Sequence, residues 1–102
     1  MTHLYNLYNQ EEPNENSEIF STLFQNDFVR VESIRSWLKA PGELYDQEQD
    51  EWVMLLKGKA ELEINNRILK LKSGDYCFIP KHTLHRVLST SKDTLWLGVF
   101  SS

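Results

Sequence analysis

The chain has 102 residues, with 15 acidic and 11 basic side chains and a net charge of −4. This length predicts one domain with a single modest core, and the acidic balance argues against a nucleic-acid partner. No apolar run approaches membrane-spanning length, and the N-terminus lacks the basic and apolar segments of a secretion signal. Cys77 is the only cysteine, which excludes an internal disulfide and fits a cytoplasmic protein.

The first part of the chain is polar and rich in Asn, Gln and Glu. Residues 1–17 therefore predict an N-terminal arm, or a short edge strand over residues 4–7 followed by a loop. The β-branched and aromatic content of residues 18–24 favours a strand. We expect a single domain to occupy residues 18–102.

Residues 28–37 predict a long strand in which Arg30 and Glu32 share one face. Strand periodicity does not say which face is buried. The pair is therefore either an exposed ion pair of little energetic value or the polar floor of a cavity.

A loop dense in carboxylates and amides follows Pro41-Gly42 and leads directly into the apolar strand of residues 52–56. A charged run of this kind is usually a solvated loop. Glu51 differs from its neighbours because it shares a face with Val53 and Leu55. A carboxylate at the start of a buried strand needs a cation or a hydrogen-bond donor.

The second half predicts closely spaced hairpins. Residues 60–64 and 68–72 alternate apolar and polar side chains around Asn65-Asn66, which tolerate the positive φ of a tight hairpin turn. Another hairpin presents His82 and His85, and residues 95–100 form a last strand. Eight or nine short strands without a helix predict an all-β sandwich or barrel with antiparallel pairing.

Two spacings in this pattern resemble the cupin family. Glu51, six residues and Gly58 resemble the end of the first cupin motif, while Gly74, five residues, Pro80 and then His85 resemble the second. With further matches from about Ile19 to Phe100, the chain resembles small single-domain, RmlC-like cupins. It is most similar to a subgroup in which Tyr-Asp-Gln, here residues 45–47, replaces the first-motif histidines.

The resemblance implies an antiparallel jelly-roll β-barrel with one divalent metal (Mn, Fe, Ni or Zn) in its mouth. Asp46, Glu51 and His85 match ligand positions, whereas Leu44 stands where the family has a further histidine. One histidine with two carboxylates forms a hard ligand set that suits Mn²⁺, Fe²⁺ or Mg²⁺. In the alternative, the barrel is metal-free: Asp46 caps a turn, Glu51 pairs with an arginine and His85 bonds a carboxylate.

Two classes of function follow from the resemblance. The first is a metal-dependent enzyme acting on a small polar molecule, and the second is a non-catalytic barrel that senses or carries a small ligand. The residues expected to bind the ligand are Arg30, Tyr45, Gln47 and His82, with aromatic walls from Trp52, Tyr76 or Phe78. Apolar side chains in residues 4–8 and 19–24 lead us to expect a homodimer.

Overall fold

The computed structural model describes residues 3–102, so Met1 and Thr2, the start of the predicted arm, lie outside the described residues. Eight strands and no helix occur in this range, which leaves no helical segment capable of crossing a membrane. The all-β prediction is confirmed. The strands are β1 (Ser17–Gln25), β2 (Val29–Trp37), β3 (Asp50–Lys57), β4 (Lys59–Ile64), β5 (Arg67–Lys72), β6 (Tyr76–Ile79), β7 (His85–Thr90) and β8 (Thr94–Ser101).

The strands form two antiparallel sheets, as expected for a jelly roll. The larger sheet has the order β1-β2-β8-β3-β6, and the smaller has the order β5-β4-β7. Alternating side chains of both sheets meet in one core, which is why β3 and β4 each bury every second residue. The centre of this core contains Val53, Leu55, Leu62, Leu71, Ile79 and Trp96.

The predicted Asn65-Asn66 turn joins β4 to β5, with φ angles of 49° and 65°. Asparagine tolerates this left-handed conformation, so the local sequence sets the hairpin register that continues in pairs such as Leu62 with Leu69. This register turns Leu62 and Leu71 inwards and leaves Lys70, which lies next to Leu71 on β5, exposed.

Residues 3–16 contain no strand and form an arm beside the outer face of β2. The carbonyl oxygen of Tyr8 accepts a 3.0 Å hydrogen bond from Nη2 of Arg35, and Oε1 of Gln10 accepts one of 3.0 Å from the Ser33 hydroxyl. The arm is therefore attached by side chains of β2. The alternative prediction, an edge strand over residues 4–7, is wrong, because these residues form no strand.

Candidate functional site

A cavity of about 270 Å³ lies between the two sheets. Its walls are mainly hydrocarbon, with a small set of polar groups that converge on the same space. This composition is typical of small-molecule sites, although the volume is just below their usual lower limit of roughly 300 Å³. The polar residues that line the cavity are Glu18, Arg30, Glu32, Tyr45, Glu51 and His85.

The register of the larger sheet explains why Arg30 and Glu51 reach the same cavity. Arg30 pairs with Phe100 across β2 and β8, and Phe100 pairs with Glu51 across β8 and β3. One row on the inner face therefore places an aromatic ring between a cation and a carboxylate. The next row contains Gly98, where an added Cβ would lie 3.1 Å from Phe100 Cε2 and 3.9 Å from Glu51 Oε2. The missing side chain gives the Phe100 ring its space.

Arg30 and Glu32 form the polar floor of the cavity. Nε of Arg30 lies 3.3 Å from Oε1 of Glu32, and the two side chains are 28% and 15% exposed. The guanidinium also stacks over the Phe100 ring, 4.5 Å from its centroid. Although Nε is close to the Glu32 carboxylate, it is buried and meets no acceptor with hydrogen-bond geometry. Of the two interpretations of this pair, the structure therefore supports the second, in which Arg30 and Glu32 form the polar floor of a cavity.

The most buried polar contact in the cavity joins His85 to Glu51. Nε2 of His85 lies 3.5 Å from Oε1 of Glu51, which also accepts a 2.9 Å hydrogen bond from Nε2 of Gln47. On the other side of the ring, Nδ1 of His85 donates to the carbonyl oxygen of Thr83 at 2.9 Å. Burial lowers the pKa of His85, but the hydrogen bonds to Glu51 and Thr83 and the Glu51 charge outweigh it and raise the pKa above its ordinary value.

Tyr45 closes one side of the cavity beside His85. The two residues form an isolated antiparallel bridge, in which Tyr45 N donates to His85 O at 2.8 Å and His85 N donates to Tyr45 O at 3.1 Å. Their ring centroids are 5.8 Å apart. Burial, followed by the nearby charges of Glu18 and Glu43, raises the pKa of the Tyr45 hydroxyl. Tyr45 therefore stays protonated at neutral pH and can donate a hydrogen bond.

Asp46 and His82 meet each other and do not line the cavity. Asp46 Oδ1 lies 3.2 Å from His82 Nδ1, and the side chains are 55% and 62% exposed. The extended backbone that directs Tyr45 to the cavity turns the next residue, Asp46, to the other side. His82 adopts φ = 58°, a left-handed conformation that is uncommon for a side chain of this size. Its backbone N–H donates to the Gln47 carbonyl at 2.8 Å.

The predicted metal ligands are thus only partly brought together. Across residues 3–102 there is no group of three or more His, Cys, Asp or Glu side chains placed to hold a metal ion. Glu51 and His85 face each other, Asp46 contacts His82, and Leu44 offers only hydrocarbon. Catalytic metals commonly keep three protein ligands. In this arrangement Glu51 and His85, two of the three ligands that the resemblance implies, share the cavity, and Asp46 lies outside it.

Several cavity residues were not predicted from the sequence. Glu18 and Phe20 of β1, together with Trp96 and Phe100 of β8, line the cavity. Oε2 of Glu18 accepts a 2.6 Å hydrogen bond from the Ser36 hydroxyl. Burial raises the pKa of Glu18, Ser36 opposes this shift, and the charge of Glu43 adds to it. The sequence did contain one signal for this part of the cavity: Glu18 lies two residues before Phe20, so a strand places both side chains on the same face.

The prediction that Trp52, Tyr76 or Phe78 forms the aromatic walls is wrong, because none of these residues lines the cavity. Trp52 alternates with the inward residues Glu51 and Val53 and therefore lies on the outer face of β3. There it packs against Tyr76 with ring centroids 5.6 Å apart and pairs with Phe78 across β3 and β6. The aromatic contribution to the cavity comes instead from Phe20, Tyr45, Trp96 and Phe100.

Trp96 carries a polar atom that the protein does not satisfy. The residue is 3% exposed and lines the cavity, and its Nε1 has no hydrogen-bond partner among the described residues. Its cross-strand neighbours are Ile34 and Leu55, which have no acceptor in their side chains. A buried donor left without an acceptor costs about 1–3 kcal/mol.

Two antiparallel sheets closed around a polar-floored cavity define a small jelly-roll barrel protein. The sequence model of the cupin domain family matches residues 39–100, which is more than half of the chain. The chain therefore belongs to the cupin family. An uncharacterized protein of Aquifex aeolicus (strain VF5) is 42% identical over 57 residues, which cover 56% of this chain and 47% of that protein. The match thus spans about half the length of this curated relative.

Solved structures match the fold over nearly the whole chain. A candidate mannose-6-phosphate isomerase from Ralstonia eutropha JMP134 superposes with a TM-score of 0.84 at 30% identity, covering 99% of both chains. KdgF from Halomonas sp. superposes with a TM-score of 0.82 at 18% identity, covering 99% of this chain and 94% of that one. The second similarity concerns the fold alone. The family and the all-β jelly roll are thereby confirmed, and the reaction is unassigned.

Proposed function

We propose that this chain is a cupin of the subgroup in which Tyr45-Asp46-Gln47 replaces the first-motif histidines, and that its cavity binds a small polar organic molecule. The observation that carries the proposal is the buried Glu51–His85 pair, which opens onto the cavity beside Tyr45. The three motif residues divide their tasks accordingly: Tyr45 lines the cavity, Asp46 faces away from it, and Gln47 donates a hydrogen bond to Glu51.

The hydrogen bond from His85 to Thr83 determines which ring nitrogen of His85 carries a hydrogen. A carbonyl oxygen can only accept, so Nδ1 of His85 carries the hydrogen that it shares with Thr83. In a neutral imidazole, Nε2 would then present a lone pair to the Glu51 carboxylate, which is unfavourable at 3.5 Å. Protonation of Nε2 turns this contact into an attractive one, which is one reason why the pKa of His85 is raised. A ligand in the cavity meets a group that can donate or accept a proton.

We propose proton transfer at carbon, as in an isomerisation, as the reaction class of this pair. The candidate isomerase of Ralstonia eutropha, at 30% identity over nearly the full length, supports this class. In this scheme Glu51–His85 exchanges a proton with the ligand carbon next to a carbonyl group. The phenol of Tyr45 donates a hydrogen bond to the carbonyl oxygen, where negative charge develops.

Solvent deuterium provides the test. The protein is incubated in D₂O with D-mannose, D-fructose or mannose 6-phosphate, and deuterium at carbon is followed by proton NMR. We expect incorporation into at least one sugar, abolished by His85→Gln. The matched variant His82→Gln changes an exposed imidazole outside the cavity and should keep the activity. No incorporation into any of the sugars, or equal rates for both variants, contradicts the proposed reaction.

A metal in the barrel mouth is the second candidate. One observation favours it: Nε2 of His85 and Oε1 of Glu51 already face each other and could both turn to an ion. Metal content is measured by mass spectrometry on protein purified without chelator or affinity tag, beside His85→Ala and His82→Ala. Near-stoichiometric Mn, Fe, Ni or Zn that only His85→Ala loses would establish the site. Absence of metal, with none taken up on addition, would overturn it.

We also propose that the protein is a homodimer that buries the outer face of its larger sheet. One cross-strand row on this face is apolar over all five strands and is called the outer row. With five strands at about 4.8 Å and a length of about 30 Å, the face, together with the arm that lies on it at Ser33 and Arg35, covers roughly 700 Å², close to the roughly 800 Å² per partner of a stable interface. The outer row contains Phe24, Val31, Val99, Trp52 and Phe78.

The outer row matches a second copy because a two-fold axis near its centre, at Val99, would pack the row on itself without opposing charges. Light scattering should give the mass of a dimer, and Val99→Lys should give a monomer. The matched variant Ile68→Lys adds the same charge at an exposed position of the smaller sheet and should remain a dimer. A monomeric wild type, or a dimer that survives Val99→Lys, contradicts this interface.

The cytoplasm is the location that we propose for this protein. The support is chemical: Cys77 is a free, half-buried thiol whose pKa is raised by burial and by the charge of Glu51. Such a thiol is compatible with a reducing compartment. Cell fractionation with an antibody against the native protein tests the location, and recovery outside the cytoplasmic fraction would contradict it.

A further inference from the structure

The indole N–H of Trp96 lacks an acceptor although it is enclosed by the protein. Trp96 is 3% exposed, lines the cavity and stands in an inner row between Ile34 and Leu55. An indole nitrogen can only donate a hydrogen bond. Because no described protein group accepts this bond, the N–H is available to an acceptor on a molecule inside the cavity. Nε of Arg30, also buried and without a hydrogen-bond acceptor, is a second donor in the same wall.

The carboxylates of the cavity already have partners. Glu32 lies 3.3 Å from Arg30, Glu51 lies 3.5 Å from His85, and Glu18 accepts a 2.6 Å hydrogen bond from the Ser36 hydroxyl. The one permanent cation, Arg30, is engaged by Glu32 and by the face of Phe100. A ligand with a phosphate or carboxylate group would meet three carboxylates and would have to compete with Glu32 for Arg30, the permanent cation among the described residues that line the cavity. A cationic ligand could reach Glu32 or Glu51 only by displacing Arg30 or His85, and the third carboxylate, Glu18, already accepts the Ser36 hydrogen bond.

We infer that the cavity selects an uncharged molecule with hydroxyl or carbonyl oxygens, and that Trp96 determines this specificity by donating a hydrogen bond to one of them. This inference rests on the proposed function, because it names the ligand class of the same cavity. It distinguishes the chain from the candidate mannose-6-phosphate isomerase of Ralstonia eutropha, because the sugar in that name carries a phosphate. Here Arg30 is paired with Glu32 and His85 with Glu51, Glu18 accepts a hydrogen bond from Ser36, and the buried groups without a partner are the donors Trp96 Nε1 and Arg30 Nε.

The experiment follows the indole N–H signals of ¹⁵N-labelled protein during titration with D-mannose, D-fructose and mannose 6-phosphate. The chain has three tryptophans, so single Trp→Phe variants assign the signals. We expect a neutral sugar to shift the Trp96 signal saturably while the signals of Trp37 and Trp52 stay in place. Trp96→Phe should weaken binding of that sugar about tenfold or more, the loss expected for one hydrogen bond. Trp52→Phe, on the outer face, is the matched control and should bind as the wild type does.

The outcomes separate this inference from the proposed function. Methyl signals of Val53 and Leu62, which line the cavity, report binding of any probe. If mannose 6-phosphate shifts them at lower concentration than the neutral sugars do, cavity binding stands and the ligand class is wrong. Saturable sugar binding that leaves the Trp96 signal unchanged overturns the role of Trp96. If no probe shifts the methyl signals, both proposals fall. The wild-type N–H signal decides the inference even if Trp96→Phe does not fold.

Discussion

Oε1 of Glu51 accepts a 2.9 Å hydrogen bond from Nε2 of Gln47 and lies 3.5 Å from Nε2 of His85, and both Glu51 and His85 are buried. The pair joins β3 of the larger sheet to the start of β7 in the smaller sheet. It therefore connects the two layers of the barrel at the cavity, and its effect on stability can be measured separately from any ligand.

A double-mutant cycle should show that Glu51 and His85 are coupled. His85→Ala leaves the Glu51 carboxylate buried with one donor fewer, and we expect a loss of about 2 kcal/mol in the free energy of unfolding. In the background of Glu51→Gln the same change should cost less, since no charge is then left unpaired. Urea denaturation of the four proteins measures the difference. Additive losses would show that the two side chains are independent.

The raised pKa of His85 predicts a pH window for this coupling. A folded-state pKa above the ordinary 6.5 means that the folded protein binds the proton more tightly than the unfolded chain does. The stabilisation is fully present below pH 6.5 and is lost as the pH rises through the folded-state pKa. The ring protons of His85 should titrate in NMR with a midpoint above 6.5. The stability difference between wild type and His85→Gln should shrink from pH 6 to pH 9; a difference that grows would contradict the sign.

Glu18 should also make the protein less stable as the pH rises, but in a lower window. Burial raises its folded-state pKa above 4.5, so the folded protein retains a proton that the unfolded chain releases. This part of the stability is complete below pH 4.5 and declines as the pH rises through the folded-state pKa. Glu18→Gln should remove that decline between pH 4 and pH 7 in urea denaturation. Glu61→Gln, which removes a carboxylate from β4 outside the cavity, is the control and should preserve it.

His82 should be replaceable by glycine with a gain in stability. Its φ of 58° costs a side chain more than it costs glycine, and the contact with Asp46 lies at an exposed surface. We expect His82→Gly to raise the free energy of unfolding by up to about 1 kcal/mol. Gly74→Ala is the converse test, because Gly74 has φ = 95° with nothing within 4 Å of an added Cβ. It should lose about 1 kcal/mol through backbone conformation alone; a loss from His82→Gly would instead indicate that the Asp46 contact is structural.

The strands were predictable because their signals are local. Alternation over residues 60–64 and the asparagines at 65 and 66 each identify an element without knowledge of its neighbours. The prediction that Glu51 needs a partner also rested on a local signal, since Glu51 shares a face with Val53. The prediction that His85 lies at the barrel mouth needed the motif spacing as well.

The remaining site residues depend on which face of each element turns inwards. Arg30 and Glu32 were assigned to one face, but only the pairing of β2 with β8 directs that face to the cavity. Asp46 faces outwards because the bridge between Tyr45 and His85 sets the phase of the loop, a contact between residues forty positions apart. Trp96 lay in a strand that was correctly predicted, yet an apolar run does not reveal which of its members lacks a hydrogen-bond partner.

Strand β1 lies at the edge of the larger sheet and is held by β2 alone, while it carries Glu18 and Phe20 of the cavity wall. Edge strands open at lower free energy than central ones because they have only one ladder of hydrogen bonds to break. The same holds for β6 and β7, edge strands that carry Ile79 and His85 of the wall. The wall residues on β2 and β8 are fixed on both sides. A molecule exchanging between solvent and cavity would thus meet less resistance at these edge strands than at β2 or β8, so the rates of entry and release would follow the local unfolding of an edge strand and not the stability of the whole barrel.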